Sequence, residues 1–132
     1  MAKLLGALLL AFSSAALAQV ELLYIGAADC GFCRKWEAQY LELGKPKAKL
    51  DWSGVRFTPV DIGSFRNRFG VNDAPAHLRP GLARALTGQS TIRGTPWFAL
   101  FVDGEVRAHG FGLGAFENRI QPAMRSVFRE KT

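Results

Sequence analysis

The stretch "AADCGFCRKW", residues 27–36, holds both cysteines of this chain, three positions apart. Nothing else in the 132 residues offers either thiol a disulfide partner. A C-x-x-C pair can grip a metal, anchor a haem, lock a turn, or exchange electrons by opening and closing a disulfide. The choice among these depends on compartment and on the neighbouring residues.

The compartment is read from the first residues, "MAKLLGALLLAFSSAALAQV" (1–20). One lysine at position 3 is followed by an apolar run from Leu4 to Phe12 and then by small residues. Ala16-Leu17-Ala18 has the small-x-small form of a signal-peptidase site, which places cleavage before Gln19. An uncleaved anchor is the other reading. However, Gly6, Ser13 and Ser14 interrupt the segment, and it falls short of the ~20 apolar residues of a spanning helix. It holds no cysteine for a lipid-modified N-terminus. The expectation is a signal peptide at 1–18 and one mature domain at 19–132, periplasmic or secreted and not membrane-spanning after cleavage.

The remaining chain has the length of one ordinary domain. The whole sequence is 48% hydrophobic, with ten Phe and three Trp, which is enough for one core. Its formal charge of +6 includes Lys3, which leaves with the signal. The excess reads as a solvated basic surface, and an exported chain points to no nucleic-acid partner. There is no repeat, low-complexity tract or linker.

Spacing narrows the role of the thiols. A c-type haem site needs C-x-x-C-H, and Arg34 stands at the histidine position. Structural zinc takes four Cys or His ligands, usually at short spacings, whereas His77 and His109 lie far along the chain. A purely structural disulfide across so short a loop would restrict the unfolded chain little. Redox exchange remains, with no metal and no cofactor.

Around the pair, strand gives way to helix. "VELLYI" (20–25) is a near-continuous apolar run of strand length. "GAAD" follows as a turn, with Asp29 placed as N-cap. From Cys30 onward, Phe32, Cys33, Trp36, Tyr40 and Leu41 or Leu43 recur at helical spacing. The helix is expected to end near Gly44 and Pro46. Cys30 then sits at a helix N-terminus, where unpaired N–H groups and the dipole favour a thiolate. Cys33, one turn on, is placed to attack a mixed disulfide formed there.

Further along, "GVRFTPVDI" (54–62) reads as a strand, and Pro59 within it assigns that strand to a sheet edge. "LARALTG" (82–88) reads as a short helix ended by Gly88. "WFALFV" (97–102), "DG" and "EVRAHGF" (105–111) form a hairpin with a tight turn. Leu113, Phe116, Ile120, Met124, Val127 and Phe128 share one helical face, with a kink or late restart expected at Pro122.

The chain resembles the thioredoxin superfamily over essentially all of its mature length. The C-x-x-C helix and "RGTPWFALFVDGEV" (93–106) together carry the likeness. The resemblance implies an α/β thioredoxin-like fold with a four-stranded mixed sheet flanked by helices. Its strand order would be 2-1-3-4, with the hairpin antiparallel to the rest. It also implies a cis Thr95–Pro96 bond beside Cys30, with the Thr95 backbone turned outward to pair with an extended substrate. Thioredoxin's own buried aspartate is replaced by Tyr24, and its Gly-Pro dipeptide by Gly31-Phe32. The Gly-aromatic dipeptide, with Thr95 before the proline, looks more like the periplasmic isomerases of the Dsb group, and the short single-domain form with a signal peptide also resembles the small periplasmic thioredoxins.

The implied activity is a periplasmic thiol–disulfide oxidoreductase, reductant or isomerase-like rather than a strong oxidant. Cys30 and Cys33 are its catalytic residues, and Gly31, Phe32, Thr95 and Pro96 contact substrate. Its partners would be protein thiol or disulfide substrates and an upstream redox partner, a membrane electron donor among the forms that could take. The chain would act as a monomer. A non-catalytic binding domain or redox-sensing regulator of the same fold is the alternative. Asp29 has a second reading as a proton relay. Trp36 reads as core, Phe32 as exposed, and His77 and His109 as surface residues. Arg66, Arg68, Arg79, Arg84 and Arg93, opposed only by Asp73, read as a solvated face or a rim of the site.

Overall fold

The chain is described from a computed structural model over residues 18–89 and 91–130. The expected signal segment, 1–18, lies outside the described residues except for Ala18. Strand β1 (Val20–Gly26) is buried along its whole length, as its apolar run demands. Helix α1 spans Gly31–Tyr40, strand β2 Val55–Asp61 and helix α2 Arg79–Ala85. Strands β3 (Trp97–Val102) and β4 (Glu105–Phe111) form the hairpin. Asp103 (φ 52°) and Gly104 (φ 82°) turn it with the two left-handed residues of a type I′ turn. The sheet runs β2-β1-β3-β4.

Strand β2 lies at the edge, parallel to β1, with Pro59 beside Tyr24. There the missing N–H of the proline breaks no ladder on the outer side. Only β3 runs against β1. Strand β4 is antiparallel to β3 and so shares the direction of β1, which corrects the expectation that the whole hairpin opposes the rest.

Alternation along β1 splits the core between two faces. Leu22 and Tyr24 join Cys33, Trp36, Phe98, Phe116 and Ile120 beneath α1 and the closing helix. Leu23 and Ile25 join Phe69, Leu78, Leu82, Trp97 and Phe101 beneath α2. Trp36 is fully buried, as read from its helical face. It stacks on Tyr24 at 4.6 Å and meets the edge of Phe116 at 5.2 Å.

Helix α1 stops at Tyr40, earlier than the expected Gly44. Leu43 (φ 52°) and Gly44 (φ 76°) turn the chain, pairing Leu41–Glu42 with Lys45–Pro46. Lys47 then returns to the helix end: its N–H donates to the Tyr40 carbonyl at 2.9 Å. Its ammonium donates to the Ala38 carbonyl at 2.8 Å, satisfying groups that a continued helix would have used. Helix α2 begins before the expected Leu82 because Pro80 is favoured in a first turn. A small ribbon of Arg68–Gly70 with Thr91–Arg93 was not foreseen.

The closing helix α3 runs through Gly112–Ala115, a π-helical turn Phe116–Ile120, and Gln121–Glu130. Pro122 lacks an N–H and would clash with the carbonyl four residues back. The wide turn lies immediately upstream of it, and the backbone continues as helix rather than breaking. Phe116, Ile120, Met124 and Val127 are buried as the helical pattern requires.

Candidate functional site

Cys30 and Cys33 form a disulfide at the start of α1. Cys30 is itself the N-cap, and the Cys33 N–H donates to its sulfur at 3.1 Å. The position expected for Asp29 is thus taken by its neighbour. The Asp29 carboxylate is engaged elsewhere: it accepts from the Ser64 hydroxyl at 2.7 Å and the Phe65 N–H at 2.8 Å. These donors, Ser64 foremost, hold its carboxyl below the ordinary aspartate range.

The two cysteines differ in access. Cys33 has no exposed surface, whereas Cys30 keeps a small exposed fraction and lines an open groove of about 470 Å³. The groove is walled by Asp29, Gly31, Phe32, Lys35 and Phe65 on one side and by Gly94, Thr95 and Phe111 on the other. An attacking group from outside therefore meets Cys30. The helix N-terminus that bonds its sulfur here would equally stabilise a thiolate.

The remaining expected contacts divide. Gly31 and Phe32 are exposed. Thr95 is buried in the groove wall, and its hydroxyl has no partner among the described residues. The Thr95–Pro96 bond is cis. Pro96 is buried behind the wall, and its carbonyl accepts the Gly112 N–H at 2.8 Å.

Sequence reasoning passed over Phe65 and Phe111, both exposed aromatic groups beside Cys30. Gly94 explains the placement of Phe111. Its φ is 117°, and a Cβ there would come within 2.8 Å of the Phe111 ring. The only signal in the chain was a pair of phenylalanines at polar segment ends, "GSFRN" and "HGFG".

A second hollow, about 390 Å³, lies on the other side of α1 between Tyr24, Arg34, Glu37 and Asp61. Tyr24 donates to Glu37 at 3.3 Å. Burial, reinforced by that carboxylate, pushes the Tyr24 hydroxyl well above its usual range. His77 is a surface residue as expected, though it contacts the buried Glu21 at 2.9 Å. His109 departs from expectation by lying half-buried against Trp97. Of the arginines, Arg66 places its guanidinium 5.6 Å from the centroid of the Phe65 ring. Arg84 pairs with Glu105, and Arg79 binds the Ala74 carbonyl. Among the described residues no group of three or more His, Cys, Asp or Glu could hold a metal. No helix among them is long and apolar enough to cross a membrane.

No protein-family model and no curated protein sequence matches the chain. Solved structures do. Thioredoxin f from spinach chloroplast superposes with a TM-score of 0.50 at 18% identity, covering 83% of this chain and 77% of that one. The chain has the thioredoxin fold, with a C-x-x-C disulfide at the start of its first helix. Thioredoxin O2 from Arabidopsis thaliana, in its oxidised state, matches at 20% identity over 82% of this chain and 74% of that one, with a TM-score of 0.47. The DsbH oxidoreductase matches at 17% identity over the same shares, again with a TM-score of 0.47.

Proposed function

We propose that this thioredoxin-fold chain is an exported, periplasmic thiol–disulfide oxidoreductase that acts on protein disulfides as a reductant or isomerase. One observation carries the reading: Cys30 opens to a groove and receives a helix N–H on its sulfur, while Cys33 is sealed behind it. That asymmetry suits a nucleophile and a resolving thiol. Export is supported by the signal-like residues 1–18.

In the reduced protein the Cys30 thiolate attacks one sulfur of a substrate disulfide. A Cys30–substrate S–S bond forms, and the other substrate sulfur leaves as a thiolate that takes a proton from water. Cys33 then loses its proton and attacks the Cys30 sulfur. The Cys30–Cys33 bond closes, the second substrate thiolate departs, and two electrons have passed to the substrate. An upstream dithiol partner returns them. An extended substrate would lie in the groove between Thr95 and the Gly31-Phe32 pair, with Pro96 behind Thr95.

The test is Cys33→Ala, which keeps the attack and removes the resolution. Incubated with oxidised protein substrates, it should accumulate mixed disulfides through Cys30, and alkylation of the reduced natural chain near neutral pH should label Cys30 first. Equal labelling of both thiols with no trapped adduct would overturn the assignment. Reaction for a single cycle, with no turnover under a dithiol reductant, would favour a redox-sensing regulator.

A further inference from the structure

At the end of the sheet remote in sequence from the thiols, Gln19 leads into β1 and faces the turn of the hairpin. Val20, the next residue, is buried and paired with Val102. Gln19 is exposed and lies opposite Asp103, the first of the two left-handed residues between β3 and β4. The Asp103 N–H donates to the Gln19 carbonyl at 2.8 Å. The Gln19 N–H donates in return to Oδ1 of Asp103 at 2.9 Å. In a regular antiparallel rung that second bond would end on a backbone carbonyl. Here the chain is already turning at φ 52°, and the Asp103 side chain receives the bond instead.

Cleavage before Gln19 would change the nature of this contact. The same nitrogen becomes an α-ammonium, and a neutral hydrogen bond becomes a charge-assisted one within an ion pair. The hollow around it, about 430 Å³, is also lined by Glu21, Arg56 and His77. The Glu21 carboxylate is engaged there, with His77 at 2.9 Å and the Thr58 hydroxyl at 2.6 Å. Asp103 is the acid that meets the new terminus. An amino-terminal glutamine is itself reactive. Its unprotonated α-nitrogen attacks Cδ of its own side chain, and the new N–Cδ bond closes a lactam. The amide C–N bond breaks, and ammonia departs with the proton that the α-nitrogen gives up. An α-amine titrates near ~8, so part of it is reactive at neutral pH unless the ammonium is held.

We propose that Asp103 is the receptor for the amino terminus released by cleavage, and that it protects Gln19 from closing to the lactam. This rests on the export part of the function proposed above and is independent of the redox chemistry. The carboxylate favours the ammonium, which cannot attack. The return bond from the Asp103 N–H holds the Gln19 carbonyl in the rung. Lactam formation would remove the positive charge and leave Asp103 without that counter-ion.

The experiment expresses the full chain with its leader in a bacterial host and purifies it from the periplasm. Amino-terminal sequencing and intact mass should show a chain that begins at Gln19 and keeps its α-amine. The loss of one ammonia is then followed by mass spectrometry at about pH 8, where part of the amine is unprotonated. Asp103→Asn keeps an oxygen acceptor and a residue type that this turn favours, but not the charge. It should lose ammonia about 1.5- to 5-fold faster than the natural chain at low salt, the span of one exposed ion pair. Raised salt should narrow the difference. Asp103→Gly, equally suited to the turn, removes the acceptor as well and should be at least as fast as the Asn variant. A chain that keeps its leader, or begins at another residue, would refute the cleavage reading and the inference with it. A chain that begins at Gln19 but loses ammonia at the same rate in all three forms would overturn the receptor alone. So would a natural chain isolated already closed to the lactam.

Discussion

The two hollows flanking the start of α1 have little in common. The one that Cys30 lines is walled by three phenylalanines and Thr95. The other is lined by Tyr24, Arg34, Glu37 and Asp61 and carries charge. Cys33 lies buried in the core face that also holds Tyr24. One helix terminus thus has an apolar side and a side lined by charge. The apolar side has no free base, because Asp29 is spent on its own loop. On the polar side, Glu37 follows Cys33 by one helical turn.

The sharpest way to break this division is to remove the nucleophile. Cys30→Ser should cut multiple-turnover reduction by more than about 10³-fold, as loss of a covalent nucleophile does, leaving the melting of the reduced protein little changed. Residual turnover through Cys33 would show that both thiols are accessible and that the two sides are not separate. Next in size is Trp36→Ala. Trp36 has no exposed surface and backs Tyr24, so truncation should cost about 3–5 kcal/mol in denaturant unfolding. A loss under about 1 kcal/mol would mean that the core behind the polar hollow collapses freely.

A smaller effect tests whether Glu37 takes part in the resolving step. Glu37→Gln should slow decay of the mixed disulfide about tenfold at neutral pH, less than the ~10²-fold of a base touching the transferred proton. It should leave alkylation of Cys30 unaltered. Single-turnover kinetics would separate the two steps, and equal slowing of both would return Glu37 to a structural role. Thr95→Val replaces a buried hydroxyl that has no partner among the described residues. Stability should hold or rise by about 1 kcal/mol, while KM for peptide disulfides stays the same, because the hydroxyl is closed off from the groove. A raised KM would mean that the wall opens and brings the hydroxyl to the substrate.

The smallest effect is at alkaline pH. The folded Tyr24 pKa lies above its unfolded value of ~10, raised first by burial and then by Glu37. Its contribution to stability is therefore complete below about pH 10 and is lost as pH climbs toward the folded value. Tyr40, the other tyrosine, is shifted the same way by burial. Tyrosinate absorbance should lag free tyrosine and appear with unfolding. Titration of Tyr24 near pH ~10 in a folded chain would contradict its burial beside Glu37.

Local rules carried the sequence reading a long way. The apolar run of β1, the helical spacing from Phe32 to Tyr40, the edge position of Pro59 and the "DG" turn each depend on neighbours within a few residues. Each of these stands in the structure. The end of α1 was missed because Lys47, beyond the turn, caps Ala38 and Tyr40. Asp29 was misplaced because capping preference is weak against two hydrogen bonds from a loop far along the chain.

The paired thiols, the strand and helix around them and which thiol leads the helix were legible along the chain, since periodicity and N-terminal position are properties of short segments, and the fold class came with the resemblance those motifs carry. What surrounds those thiols was not legible there. Phe32, Phe65 and Phe111 come from three separate elements, and Tyr24 meets Glu37 across the gap between β1 and α1. Such meetings follow from packing the sheet against its helices, which brings together residues that no local pattern connects.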